Sequence, residues 1–119
     1  MLNQAQELIF ERYKHPLFAG PVEGATHFAE GSNPVCGDEL RIELRIADST
    51  IQELRHQTRA CAICTASADL LAESLQGEPL EGLAALDPEE AQAALGIPLS
   101  PVRLKCALLP LETIKLAVS

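Results

Sequence analysis

Three cysteines spaced widely along the chain, Cys36, Cys61 and Cys106, are the residues best equipped for chemistry, with Asp38 beside the first of them. Thiolates are the soft ligands that zinc and iron-sulfur clusters favour, and the remaining position can be filled by a carboxylate, an imidazole or water. Within Cys36-Gly37-Asp38 the glycine lets the backbone fold closely round an ion, and the acid two residues on can turn an oxygen to the same point. The competing account makes each cysteine a small buried core residue.

Cys61-Ala62-Ile63-Cys64 forms a second constellation at the passage from a strand into a helix, where a thioredoxin-like redox pair would sit. That motif belongs to a βαβ unit, whereas the elements before Cys61 read as an antiparallel meander. Cys64 is therefore expected to pack in the core with Ile63 and Leu71, three residues on from Cys61 along one helix face. Lys105, next to Cys106, either steadies a thiolate or stands in solvent. His15, His27 and His56 share no metal-like spacing, and Glu39, Arg41, Glu43 and Arg45 read as the wet face of a strand. No phosphate-binding loop, nucleophile elbow or paired catalytic carboxylates occur.

The elements that must position these residues follow from periodicity. Leu2, Ala5, Leu8, Ile9 and Tyr13 recur at helical spacing up to His15-Pro16, where the proline pushes its predecessor out of the helical region. Val22 to Glu30 alternates loosely and predicts a strand, with Thr26 and Phe28 on one side and Ala25, His27 and Ala29 on the other. Residues 31–37 then form a loop by composition. Leu40, Ile42, Leu44 and Ile46 alternate cleanly with charged residues, Asp48-Ser49 turns the chain, and Ile51 to Thr58 returns as the next strand. Ile63 to Leu75 keeps a 3.6-residue period that ends at Gly77. Asp87-Pro88-Glu89-Glu90 and Ser100-Pro101 open two more helices, the first closed by Gly96. Pro110 is expected to break the last pattern, Val102 to Val118, into two pieces hinged near Leu109-Pro110.

Strands followed by helices predict an α+β fold: a three-stranded antiparallel sheet covered on one face by helices, with an N-terminal helix and C-terminal helices. In it, Cys36, Cys61 and Cys106 lie at element ends that can converge although they are 25 and 45 residues apart. A chain of 119 residues with 47% hydrophobic and 22% charged residues fits one domain, 1–119. Its net charge of -8 argues against nucleic acid and anionic lipid as partners. Met1-Leu2-Asn3-Gln4-Ala5 has no signal-peptide pattern and no apolar run is long enough to span a membrane, so a cytoplasmic location is expected. Four cysteines in a reducing compartment then point to metal or thiol chemistry rather than to disulfides.

Taken together, Asn33-Pro34-Val35-Cys36-Gly37-Asp38, Cys61-Ala62-Ile63-Cys64-Thr65-Ala66-Ser67-Ala68 and Val102-Arg103-Leu104-Lys105-Cys106 resemble the IscU/SufU/NifU family of iron-sulfur assembly scaffolds. The similarity spans nearly the whole chain and includes Glu11-Arg12-Tyr13-Lys14-His15-Pro16. It implies a non-enzymatic scaffold whose site, Cys36, Asp38, Cys61 and Cys106 with Gly37 and Lys105 in support, lies at one exposed end. A cysteine desulfurase would deliver sulfur as a persulfide, with Cys61 and Cys106 as the candidate acceptors. A transient 2Fe-2S cluster would be built and passed to apo iron-sulfur acceptor proteins; many members bind zinc there instead. Lys105 stands where IscU-type members have histidine, as in SufU-type members, which resemble zinc-dependent sulfur acceptors. Residues 96–101 are too short to hold the SufU-type insertion. Leu99-Ser100-Pro101-Val102-Arg103 matches only weakly the segment through which IscU-type scaffolds engage a chaperone. Ala60 replaces the usual glycine, and Cys64 is an additional thiol.

Overall fold

A computed structural model describes residues 3–119; Leu2, placed by its spacing on the first helix, lies outside them. The chain runs α1 (Gln4–Lys14), β1 (His27–Asn33), β2 (Asp38–Ala47), β3 (Thr50–Arg59), α2 (Ala62–Leu75), α3 (Leu80–Ala85), α4 (Pro88–Ala93) and α5 (Pro101–Val118). The strands form one antiparallel sheet in the order β1-β2-β3. The expected α+β architecture is what the chain adopts.

Local chemistry explains most of these boundaries. Asn3 caps α1 through a reciprocal pair of hydrogen bonds with Gln6, and Asp87 and Ser100 accept from Glu90 N–H and Arg103 N–H to open α4 and α5, each followed by proline. Asp48 and Ser49 both take positive φ, 55° and 58°, the mirror-image turn whose twist suits a two-residue hairpin. Along β2 and β3, Leu40, Ile42, Leu44, Ile51 and Leu54 face inward onto α2 and α5. Each fully buried aliphatic side chain of this kind is worth about 2 kcal/mol. The opposite face is wet and braced by charge: Arg41 meets Glu43 and Glu30, and Glu53 meets Arg45 and Arg55.

Three features differ from the sequence expectation. The first strand starts five residues later than Val22 and continues through Gly31, Ser32 and Asn33, so the loop shrinks to four residues. Gly31 is the reason it can: a Cβ there would collide with Thr113 Oγ1, so the bare backbone lets β1 lie against α5. Ala29 takes the core side, while Phe28 stands outside with the Arg41 guanidinium 4.2 Å from its ring centre. Second, α5 passes through Pro110 as one helix. The proline costs one backbone bond, yet Ala107, Leu109, Leu111 and Ile114 are buried on both sides of it, and Thr113 Oγ1 donates to the Leu109 carbonyl at 2.8 Å. Third, the short α3 has no strong capping residue to announce it; its start is fixed by a tertiary bond from Leu80 N–H to the Ser49 carbonyl in the β2-β3 turn.

One buried polar group ties the helices to the sheet. Asp69, fully enclosed in the middle of α2, accepts from Arg12 of α1 at 3.0 Å, from the backbone N–H groups of Leu17 and Phe18 at 3.0 and 2.8 Å, and pairs with His56 Nε2 of β3 at 2.9 Å. Burial alone would favour the protonated acid, but the bonds to His56, Leu17, Phe18 and Arg12 more than offset it and hold the carboxyl down at about 2. Ser67, two residues earlier, donates to the Ala107 carbonyl at 2.7 Å and so fastens α2 to α5.

Because the folded carboxyl titrates below its ordinary value of 3.8, the stabilisation by Asp69 is fully present above about pH 4 and is lost as pH falls towards about 2. Asp69→Asn is expected to lose on the order of 3 kcal/mol at pH 7 by urea denaturation, since it unpairs a buried charge network. The gap between variant and wild type should close by about 2 kcal/mol between pH 4 and pH 2; a gap that stays constant would show that the carboxylate charge carries no stability.

Candidate metal centre

The β1-β2 hairpin, the β3-α2 junction and α5 bring the cysteines together. Asn33 pairs with Asp38 at the end of the ladder, and Cys36 N–H bonds back to the Asn33 carbonyl at 3.2 Å, which folds residues 34–37 into a tight turn. Gly37 closes that turn at φ +73°, a conformation other residues rarely adopt, so Cys36 projects at the rim while Asp38 enters the protein at 1% exposure. β3 ends at Arg59, and Cys61 is the N-cap of α2, with extended backbone and no side-chain bond to the helix start. Cys106 lies in the second turn of α5 and is fully buried.

Ligand atoms of Cys36, Asp38 and Cys106 all lie within 4.8 Å of one another. Cys61 stands beside this group: its N–H donates to Asp38 Oδ1 at 3.1 Å, and its thiol is among the groups that oppose ionisation of Cys106. Of the four residues named from the sequence, Cys36, Asp38 and Cys106 converge, and Cys61 lies beside them, outside that group. An open cleft of about 460 Å³, lined by Cys36, Gly37, Glu39, Arg59, Ala60 and Cys61, lies at its rim. Arg59, which the sequence reading does not single out, faces Glu39 across the β2-β3 ladder at this mouth. Pairing between strands is the signal that identifies it, and spacing along the chain does not carry that signal. The resemblance implied an exposed site; the rim is exposed at Cys36 and partly so at Cys61, whereas Asp38 and Cys106 form a closed floor.

Two observations fit a metal. Asp38 Oδ2 is buried without a hydrogen-bond partner, the only side-chain oxygen or nitrogen in that state among the described residues, and an oxygen so placed costs about 1–3 kcal/mol unless something binds it. The donor set of soft thiols with one carboxylate suits zinc or iron. Burial, reinforced by Asp38 and by the Cys36 and Cys61 thiols, pushes the Cys106 thiol far above its ordinary range, so its proton must leave as a metal arrives.

The remaining candidates separate clearly. Cys64 is fully buried in the core beside Leu71, as expected, and burial pushes its thiol up as well. Lys105 is exposed and lines a groove with Asn33, Pro34, Leu104 and Glu112 rather than the cleft at Cys36 and Cys61; among the described residues it makes no hydrogen bond or ion pair. His56 serves Asp69, and His15 and His27 do not belong to the group of converging ligand atoms.

A family model described as the NifU-like N terminal domain matches residues 4–119. The chain is 36% identical over 107 residues to the bifunctional protein NifU/MnmA of Rubrobacter xylanophilus, a match that covers 89% of this chain and 22% of that protein. It is 29% identical to the iron-sulfur cluster assembly scaffold protein IscU of Thermotoga maritima, covering 94% of this chain and 90% of the relative. It is 21% identical to the zinc-dependent sulfurtransferase SufU of Bacillus subtilis, covering 96% and 88%. Among solved structures, a proposed iron-sulfur cluster assembly scaffold for the SUF system of Fervidobacterium islandicum superposes with a TM-score of 0.80 at 26% identity over 95% of each chain.

The gradient of exposure makes a direct prediction. With limiting iodoacetamide and peptide mass mapping, Cys36 should be alkylated about tenfold or more faster than Cys64 and Cys106, with Cys61 between them. One equivalent of zinc should slow Cys36 and Cys61 markedly; equal rates at Cys36 and Cys106 would contradict the closed floor.

Proposed function

We propose, from the premise that this chain belongs to the NifU-like N-terminal domain family, that it is an iron-sulfur cluster assembly scaffold. It receives sulfur from a cysteine desulfurase, builds a labile 2Fe-2S cluster and passes it to apo iron-sulfur acceptor proteins. The cluster is cargo, and the chain acts as a carrier rather than an enzyme. The observation that carries this reading is the buried Asp38 carboxylate, one oxygen of it unpartnered, grouped with the thiols of Cys36 and Cys106 next to an open cleft lined by Cys36 and Cys61. Four buried thiolates would hold a cluster tightly. A floor of Cys106 and Asp38 with a rim of Cys36 and Cys61 instead offers one oxygen donor and solvent access, both of which favour release.

Each residue has a distinct part. Cys36 and Cys61 are reachable from the cleft, so they meet incoming sulfur and iron first, and Cys61 is the better placed persulfide acceptor because Cys106 is enclosed. Cys106 completes the thiolate set from below. Asp38 uses Oδ1 to hold the Cys61 backbone and leaves Oδ2 for iron, so one side chain both shapes the site and supplies its weakest ligand. Gly37 permits the turn that aims Cys36.

A second reading uses the same residues differently. The thiol and carboxylate donors equally suit a zinc ion, and the Bacillus subtilis relative is a zinc-dependent sulfurtransferase. In that case the metal is resident and the chain only accepts sulfur. Along α5, Pro101, Val102 and Arg103 are exposed, but their weak match to the chaperone segment gives no ground for adding a chaperone to the partners.

Anaerobic metal-free protein mixed with ferrous iron, cysteine and a cysteine desulfurase is expected to develop the visible charge-transfer bands of a 2Fe-2S cluster, which fade when an apo-ferredoxin is added. Cys106→Ser should abolish the bands. Asp38→Ala should allow them but slow their transfer to the apo-ferredoxin, because the labile oxygen ligand is gone. No colour, with zinc bound tightly and sulfur accepted from the desulfurase, would establish the sulfur-acceptor reading instead.

A further inference from the structure

Cys64 has no part in the site as described, yet it sits in the most suggestive place for a thiol. It follows Cys61 by three residues on α2, and side chains so spaced are neighbours on one helix face. Cys61 is the N-cap, outside the regular helix at φ -66° and ψ 167°, and its side chain makes no capping bond, so its sulfur is free to turn along the helix. Cys61 also packs against the buried cluster that contains Cys64.

The two thiols differ in access. Cys61 is partly exposed and lines the cleft, whereas Cys64 has no exposed surface. An external reagent reaches only Cys61, and what Cys64 meets is whatever Cys61 carries. Cys64 lies outside the group formed by Cys36, Asp38 and Cys106, so spending its thiol does not remove a floor ligand.

We propose that Cys64 is the resolving thiol that reduces sulfur lodged on Cys61, a step that rests on the sulfur acceptance proposed above. A persulfide on Cys61 carries a sulfane sulfur, which must gain two electrons before it can enter a cluster as sulfide. Cys64 Sγ bonds to Cys61 Sγ, and the bond from Cys61 Sγ to the outer sulfur breaks with its electron pair. The hydrosulfide leaves with the proton from the Cys64 thiol as hydrogen sulfide. The outer sulfur gains two electrons, and Cys61 and Cys64 together lose two as they become a disulfide. A dithiol reductant then reopens the disulfide by exchange at the accessible Cys61 and returns that ligand to the site. Sulfide is thereby released at the donors that would hold iron, with no need for a reductant to reach the persulfide itself.

Metal-free protein carrying Cys36→Ser, which removes the most exposed competing thiol, is treated with a small-molecule persulfide alongside the same protein carrying Cys64→Ala as well. Released sulfide and the masses of the cysteine peptides are followed. With Cys64 present, about one sulfide per chain should appear in step with a Cys61 to Cys64 disulfide. With Cys64→Ala, the sulfane sulfur should stay on Cys61 and sulfide release should fall about tenfold or more. Persistence of the persulfide when Cys64 is present, a disulfide from Cys61 to Cys106 instead, or failure of Cys61 to take up sulfur at all would overturn the proposal. Should Cys64→Ala misfold by circular dichroism, the disulfide map of the Cys64-containing protein decides alone. Repeating the loading with a cysteine desulfurase and cysteine separates the two layers: loading by the small persulfide but not by the desulfurase would refute sulfur delivery and leave the Cys61 to Cys64 step standing.

Discussion

A single buried carboxylate governs how the layers of this molecule meet. Asp69 is held charged by donors from α1, from the segment after it and from β3, so α2 has one allowed position along the sheet and one allowed rotation about its axis. Apolar contacts alone would tolerate sliding, because Ala66, Ala68, Leu71 and Ala72 offer a smooth surface. With α2 fixed, its N-cap, Cys61, is fixed, and Ser67 passes the same alignment to α5 and hence to Cys106. The thiols of the proposed site thus inherit their placement from a polar cluster to which they contribute no atom.

The site itself departs from the rule of satisfied burial. One oxygen of Asp38 has no partner, and the Cys106 thiol is enclosed among groups that oppose its ionisation. Such an arrangement is unfavourable by itself, and a cation at the proposed site would offset the cost. The apolar contacts of β2 and β3 with α2 and α5 absorb that cost, which is why the donors can be kept ready. Among the described residues Asp38 alone leaves a buried side-chain oxygen unanswered, and the Asp69 cluster shows the opposite condition, its acceptors being answered.

Much of this was legible in the residues. The alternation of Leu40 to Ile46 identified the central strand, Asp87 and Ser100 identified helix starts, and Cys36 and Cys61 fell at element ends as their flanking residues implied, whereas Cys106 lies inside α5. What stayed hidden was set by partners distant in the chain. Gly31 read as a loop residue because only contact with α5 explains a glycine in a strand. Pro110 read as a break because the burial that offsets its missing N–H is tertiary. Asp69 was visible as an acid within a run of small and apolar residues, but its four donors lie more than ten residues away in sequence, and periodicity along α2 says nothing of them.

The donors come from three segments, with Cys36 and Cys106 about 70 residues apart and joined only through the packing of α5 against the hairpin. During synthesis the rim thiols therefore leave the ribosome well before the floor exists. A nascent chain can offer Cys36 and Cys61 to passing ions, but it cannot enclose one until α5 has been made and has docked against β1 and α2. Closure of the floor around Asp38 and Cys106 thus reports that α5 has been made and has docked against β1 and α2.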